Sequence, residues 1–140
     1  MNSTKLPYNV AILDDCRFFL KLMLQSFYRE KERNSHSFWS QIDFRVYSNL
    51  ADFELNQFNP PNVAIIDYYL GQSNGLKLIQ SIQRRNQNCR VLLISGEPSV
   101  PQKMSYAQNG SPIFLSKLDP HFFDKLRVFV EESYLSAQSK

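Results

Sequence analysis

Val63-Ala64-Ile65-Ile66 is an unbroken apolar run that stops on Asp67. A strand with one wet face alternates apolar and polar residues, so a run with no alternation requires cover on both faces, as in a parallel sheet flanked by helices. The residues after Asp67, YYLGQSNG, hold two glycines and an asparagine, the chemistry of a loop. Gly75, Leu78, Ile79 and Ile82 then recur at helical spacing, with Asn74 placed to cap the helix. The segment reads as strand, loop and helix. Its acid falls at the carboxyl end of the strand, where open α/β sheets form their ligand crevice.

The pattern repeats along the chain. Tyr8 to Leu13 predicts a first buried strand, and Asp14 and Asp15 end it. Cys16, Phe19, Leu20, Met23, Leu24 and Phe27 mark one face of a helix from about Cys16 to Arg29. The polar stretch from Arg29 to Gln41 predicts a loop pinned by Phe38 and Trp39, with His36 on the surface. Ile42, Phe44 and Val46 alternate with Asp43, Arg45 and Tyr47, which predicts an edge strand with the first three inward. Asn49 is placed to cap a short helix carrying Leu50, Phe53 and Phe58, and Asn59-Pro60-Pro61 stops it. Arg90 to Ile94 predicts a fourth strand ending at Ser95-Gly96. Pro101 opens a short helix with Met104 and Ala107, closed by Asn109-Gly110. Ile113 to Leu115 predicts a fifth strand ending at Ser116-Lys117. Asp119-Pro120 starts a last helix with Phe123, Leu126, Val130 and Tyr134 inward, and Ser136 to Lys140 reads as a polar tail.

Five strands alternating with helices predict an α/β fold, a doubly wound parallel sheet with helices on both faces. The edge character of the second strand favours the order 2-1-3-4-5, whose crevice opens between the first and third strands. Asp14, Asp15 and Asp67 would meet there.

Composition bounds the function. The 140 residues suffice for a single domain, 1–140, with a core of about 8–135, and 43% apolar against 21% charged residues is a globular balance. The net charge of +3 is spread along the chain, which argues against direct nucleic-acid binding. Cys16 and Cys89 lack CxxC spacing and sit in apolar segments, so both read as buried reduced thiols. No run approaches the ~20 apolar residues of a membrane span, and the first residues carry no apolar signal core. The expectation is a cytoplasmic protein without a membrane partner.

Three carboxylates at one sheet edge repel unless a cation joins them, and oxygen-only ligands suit Mg²⁺. An aspartate beside such an ion can attack phosphorus, while the Ser95 hydroxyl and the Lys117 ammonium can hold phosphoryl oxygens.

With these residues in place, the chain from about Tyr8 to Tyr134 resembles the receiver domains of bacterial two-component response regulators, which have a flavodoxin-like fold. In that family an acid pair follows the first strand, a phosphorylated Asp ends the third, Ser or Thr ends the fourth and Lys ends the fifth. Asp14 and Asp15, Asp67, Ser95 and Lys117 fill those places, with Leu70 and Gly75 at family positions of the loop. The resemblance implies phosphorylation of Asp67 by a histidine kinase or histidine phosphotransfer protein. It implies Mg²⁺ on Asp15, Asp67 and the Tyr69 carbonyl, with Asp14 acting nearby or through water. It also implies a switch through Ser95 and Phe114, and a homodimer or partner face made by the fourth helix, fifth strand and fifth helix. Tyr69 and Glu97 match positions flanking the path of hydrolytic water. The chain departs from the pattern at Leu118 and Gly71, where the family usually has proline. It would be a stand-alone receiver or a fragment without its output domain.

Two alternatives remain at this stage. A pseudo-receiver would act as an interaction module without phosphorylation. A metal-dependent aspartyl-phosphate phosphatase would need a general acid, commonly as Asp-x-Asp, and Tyr69 stands at that position instead.

Overall fold

The four apolar runs and the alternating segment from Ile42 to Tyr47 lie side by side in one parallel sheet. In the computed structural model, which describes residues 7–55, 60–70, 73–97 and 113–138 (73–76 as backbone), the strands are β1 (Tyr8–Leu13), β2 (Ile42–Tyr47), β3 (Val63–Asp67), β4 (Arg90–Ser95) and β5 (Ile113–Ser116). Their spatial order is β2-β1-β3-β4-β5, as the alternation predicts. A short antiparallel ribbon, Tyr69–Leu70 against Ser73–Asn74, follows β3. The helices are α1 (Arg17–Arg33), α2 (Leu50–Leu55), α3 (Gly75–Arg85) and a C-terminal helix (Phe122–Gln138).

Successive residues of a strand point to opposite faces, so the unbroken runs supply two cores at once. On one face Val10, Ile12, Val63, Ile65, Leu92 and Ile94 pack with α1 and the C-terminal helix through Leu20, Met23, Phe27, Leu126 and Val130. On the other, Ala11, Leu13, Ala64, Ile66, Val91 and Leu93 meet Phe53 of α2 and Leu78, Ile79 and Ile82 of α3. Burying each such aliphatic side chain contributes about 1.5–3 kcal/mol. All five residues of β3 are buried, Asp67 included.

Register places the polar ends. Leu13 of β1 stands beside Ile66 of β3, so one residue further on Asp14 is level with Asp67. Asp67 pairs with Ile94 of β4, and Ser95 pairs with Ser116 of β5. The four strand ends therefore open on one edge of the sheet.

Several local expectations need correction. Helix α1 runs a turn further than the apolar pattern, to Arg33, where Lys31 Nζ donates to the Ile42 carbonyl at 2.7 Å and Asn34 Nδ2 donates to Glu30 Oε1 at 3.0 Å. Cys16 is exposed, not buried, because it lies in the turn before α1 where its amide donates to Asp14 Oδ1; Cys89 is buried as expected. Val46 is 39% exposed, since the first turns of α1 bring Arg17 and Lys21 beside it and leave the margin of an edge strand open. Tyr47 turns the other way and packs edge-on against Phe53, ring centroids 5.4 Å apart. Residues 136–138, read as tail, continue the C-terminal helix.

The remaining local readings hold. Trp39 is buried and Phe38 stacks on Tyr134, which anchors the loop after α1. Asn49 Oδ1 accepts from the Asp52 amide at 2.8 Å and caps α2. Asp119 Oδ1 accepts from the His121 amide ahead of the last helix. The readings of Phe58, Asn59, Gly71, the Asn74 side chain and the helix from Pro101 to Gly110 lie outside the described residues.

Candidate functional site

Asp14, Asp15 and Asp67 converge at the mouth of the crevice between β1 and β3, with one carboxylate oxygen of each lying within 4.8 Å of the others. Asp14 is fully buried: its amide donates to the Tyr47 carbonyl, its Oδ1 accepts from the Cys16 amide, and its Oδ2 lies 2.7 Å from Lys117 Nζ. Asp15, one residue later in the bend that follows β1, is exposed. Asp67 is 6% exposed and its Oδ2 lies 3.6 Å from Lys117 Nζ. The Tyr68 amide donates to the Ile94 carbonyl and fixes the chain just past Asp67.

The electrostatics of Asp67 follow from this crowding. Burial pushes its carboxyl up to about 7, and the Asp14 carboxylate adds to the rise. The Lys117 ammonium pulls the other way, Asp15 raises it again, and a hydrogen bond from the Tyr69 amide lowers it. One lysine thus serves two buried acids. An oxygen-only set with surplus negative charge fits a divalent cation such as Mg²⁺, with Asp14, Asp15 and Asp67 as the residues able to hold it.

Ser95 ends β4 almost fully buried, and its Oγ accepts from the Glu97 amide at 3.0 Å. Lys117 is anchored by its own amide, which donates to the Ser95 carbonyl at 2.8 Å and ties the ends of β4 and β5 together. The Leu118 amide donates to Ser116 Oγ at 3.1 Å, a bond that proline at that place could not make. Phe114 is half-buried against the α3-side core. Tyr69 is 39% exposed, its ring edge-on to Tyr68 at 4.8 Å.

The structure therefore brings together Asp14, Asp15, Asp67 and Lys117. Ser95 ends β4 and Tyr69 follows β3 at the same edge of the sheet, while Phe114 sits two residues before the end of β5 on the α3-side face. Phe19 was read only as part of an apolar helix face, yet its ring centroid lies 4.6 Å from Lys117 Nζ. Nothing in the spacing of α1 distinguishes it from Leu20 or Met23, because the contact depends on where β5 ends. The Ser116 to Leu118 turn was legible only as the absence of proline.

Fold and strand-end constellation define one class: this is the fold of the receiver domains of response regulators, and the resemblance seen in the sequence holds. The chain superposes on a CheY-like receiver domain protein from Methanospirillum hungatei with a TM-score of 0.71, at 15% identity, covering 96% of this chain and 99% of that one. The TrrA response regulator of Thermotoga maritima, solved in complex with Mg²⁺-BeF, matches with a TM-score of 0.66 at 15% identity over 89% of this chain and 97% of that one. Among curated proteins, the photosynthetic apparatus regulatory protein RegA of Cereibacter sphaeroides is 28% identical over 61 residues, 44% of this chain and 33% of RegA. The two-component response regulator ARR13 of Arabidopsis thaliana is 30% identical over 97 residues, 69% of this chain and 16% of ARR13. The chain thus spans a third or less of these two relatives' length. No protein-family model matches the sequence. Among the described residues, no helix is long and apolar enough to cross a membrane.

Proposed function

We propose that this chain is a phosphoacceptor signalling domain, a single receiver domain with its core at about 8–135, which takes a phosphoryl group onto Asp67 from a histidine kinase or histidine phosphotransfer protein in the cytoplasm. The observation that carries the reading is the sharing of Lys117 between the buried Asp14 and Asp67, at 2.7 and 3.6 Å. Such a site has too much negative charge for one lysine and is poised for a cation and an electrophile.

A carboxylate oxygen of Asp67 would form the new bond to phosphorus as the bond from phosphorus to the donor's histidine nitrogen breaks, the nitrogen keeping the electron pair. Asp15, Asp67 and the Tyr69 carbonyl, with Asp14 nearby or through water, would hold Mg²⁺, which would supply neutralisation of the charge gathering on the phosphoryl oxygens. Ser95 would donate its hydroxyl to one of these oxygens and Lys117 its ammonium to another. In the unphosphorylated chain the Ser95 Oγ accepts from the Glu97 amide, which leaves its own proton to donate.

Drawing Ser95 toward Asp67 leaves room for Phe114 to turn inward, and the surface made by the fourth helix, fifth strand and fifth helix would then select a partner or a second copy. The protein itself is the substrate of the transfer, with slow autodephosphorylation as its only turnover.

Incubation with acetyl phosphate and Mg²⁺, followed by intact-mass measurement, tests the reading. One added phosphoryl group is expected in the parent and none in Asp67→Asn. An unlabelled parent favours the pseudo-receiver, rapid steady turnover favours the phosphatase, and equal labelling of Asp67→Asn removes the acceptor assignment.

A further inference from the structure

We infer that Phe19 is a positioning residue for Lys117, its ring face acting as an uncharged seat for the ammonium beside the acids. The inference deepens the phosphoacceptor reading and rests on it for its catalytic meaning. Lys117 Nζ stands 4.6 Å from the Phe19 centroid, within the range of a cation–π contact and closer than Arg90 over Phe129 at 4.9 Å or Lys31 over Phe44 at 5.8 Å. Lys117 is 17% exposed at its side chain, so the contact is poorly screened by water.

The ring is itself held. Phe122, which is buried, lies 5.3 Å from it at 56°, and Phe123 lies 6.0 Å away at 33°. Phe19 therefore joins the start of α1, the start of the C-terminal helix and the end of β5. The chain around the lysine is fixed separately, by the Lys117 amide on the Ser95 carbonyl and by the Leu118 amide on Ser116 Oγ. Those bonds hold the backbone of a lysine loop without proline. They do not fix the four-carbon stem, whose rotamer is restricted by the ring together with the two carboxylates.

The seat differs in kind from the carboxylates. Asp14 and Asp67 bind the ammonium by opposite charge, which must be surrendered in part when Lys117 turns to a phosphoryl oxygen. A ring face attracts the ammonium through its quadrupole and carries no charge to compete with phosphate. Phe19 can hold Lys117 in the site before and after the transfer.

The test uses the full chain with Phe19→Leu and Phe19→Trp, acetyl phosphate as donor and Mg²⁺ present, with folding checked by circular dichroism. Phe19→Leu should slow labelling roughly 5- to 30-fold, and Phe19→Trp, which restores a ring face, should stay within about 2-fold of the parent. A Leu variant as fast as the parent, or a Trp variant as slow as Leu, overturns the inference. A second readout is independent of phosphorylation: the ring should shift the Lys117 ε-methylene protons upfield in NMR spectra, and Phe19→Leu should abolish the shift. Ordinary ε-proton shifts in the parent overturn the seat even if labelling occurs. If the parent is not labelled, the phosphoacceptor reading fails, and the seat stands or falls on those shifts.

Discussion

Lys117 Nζ lies nearer to Asp14 than to Asp67, 2.7 against 3.6 Å, although Asp67 is the acid at the end of the central strand. Asp14 has no exposed surface, so Lys117 is the cation that partners a wholly buried carboxylate. Removing one member of a buried pair is costly because the other is left charged in a poor solvent. Lys117→Met should therefore destabilise the fold by about 3 kcal/mol and lose labelling. Adding Asp14→Asn to Lys117→Met should restore part of that stability, which urea midpoints will read. A double variant no more stable than Lys117→Met would show that the pair is not the source.

Asp67 makes stability depend on pH with a definite sign. Its carboxyl is raised from 3.8 to about 7 in the folded chain, chiefly by burial and then by Asp14. Between those values the folded state holds a proton that the unfolded state has released, so this group's contribution falls as pH rises through about 7. Asp67→Asn should be more stable than the parent at about pH 8, by roughly 2 kcal/mol after halving the unscreened value for solvent. The difference should vanish below about pH 4. Parallel melting curves across that window check both sign and range.

Cation binding should relieve the same crowding. Raising Mg²⁺ to tens of millimolar should lift the melting temperature of the parent, with about 1.4 kcal/mol gained at ten times the dissociation constant. Asp15→Asn and Asp67→Asn should each lose most of the rise. A melting temperature indifferent to Mg²⁺ in the parent would remove the metal assignment.

Tyr69 should govern how long the phosphate survives. Its ring is 39% exposed and braced by Tyr68, and by the resemblance its place two residues past Asp67 flanks the path of in-line water. Glu97 has the opposite tendency, since it can orient water, but it can improve only a path that is open. Tyr69→Asn should shorten the phosphoprotein lifetime several-fold, roughly 3- to 10-fold if about 1 kcal/mol of hindrance is lost. Dephosphorylation rates measured side by side in Mg²⁺ decide it; equal or slower decay in the variant means the ring is no shield.

The sheet and the acid trio were legible because both depend on where apolar runs stop. The run ending at Leu13 and the run ending at Ile66 pair in register, so Asp14 and Asp67 had to share an edge. What escaped the sequence depends on the lateral reach of helices. Cys16 follows the same three- and four-residue spacing as Phe19, yet it falls in the turn before α1 and faces solvent. Val46 keeps the alternation of its strand but lies at the sheet margin, where α1 sets Arg17 and Lys21 beside it and leaves it 39% exposed. Phe19 met Lys117 across almost a hundred residues, a contact that periodicity along one helix cannot report.

The unequal fates of the two cysteines give the protein a ready optical handle. Cys89 is buried and its thiol is pushed up to about 12 by that burial, whereas Cys16 is open to solvent and its amide is bonded to Asp14. A maleimide dye should therefore attach to Cys16 alone, without engineering out the other thiol. The fluorophore would sit next to Asp15, close enough for its emission to follow a titration of metal or beryllofluoride in real time.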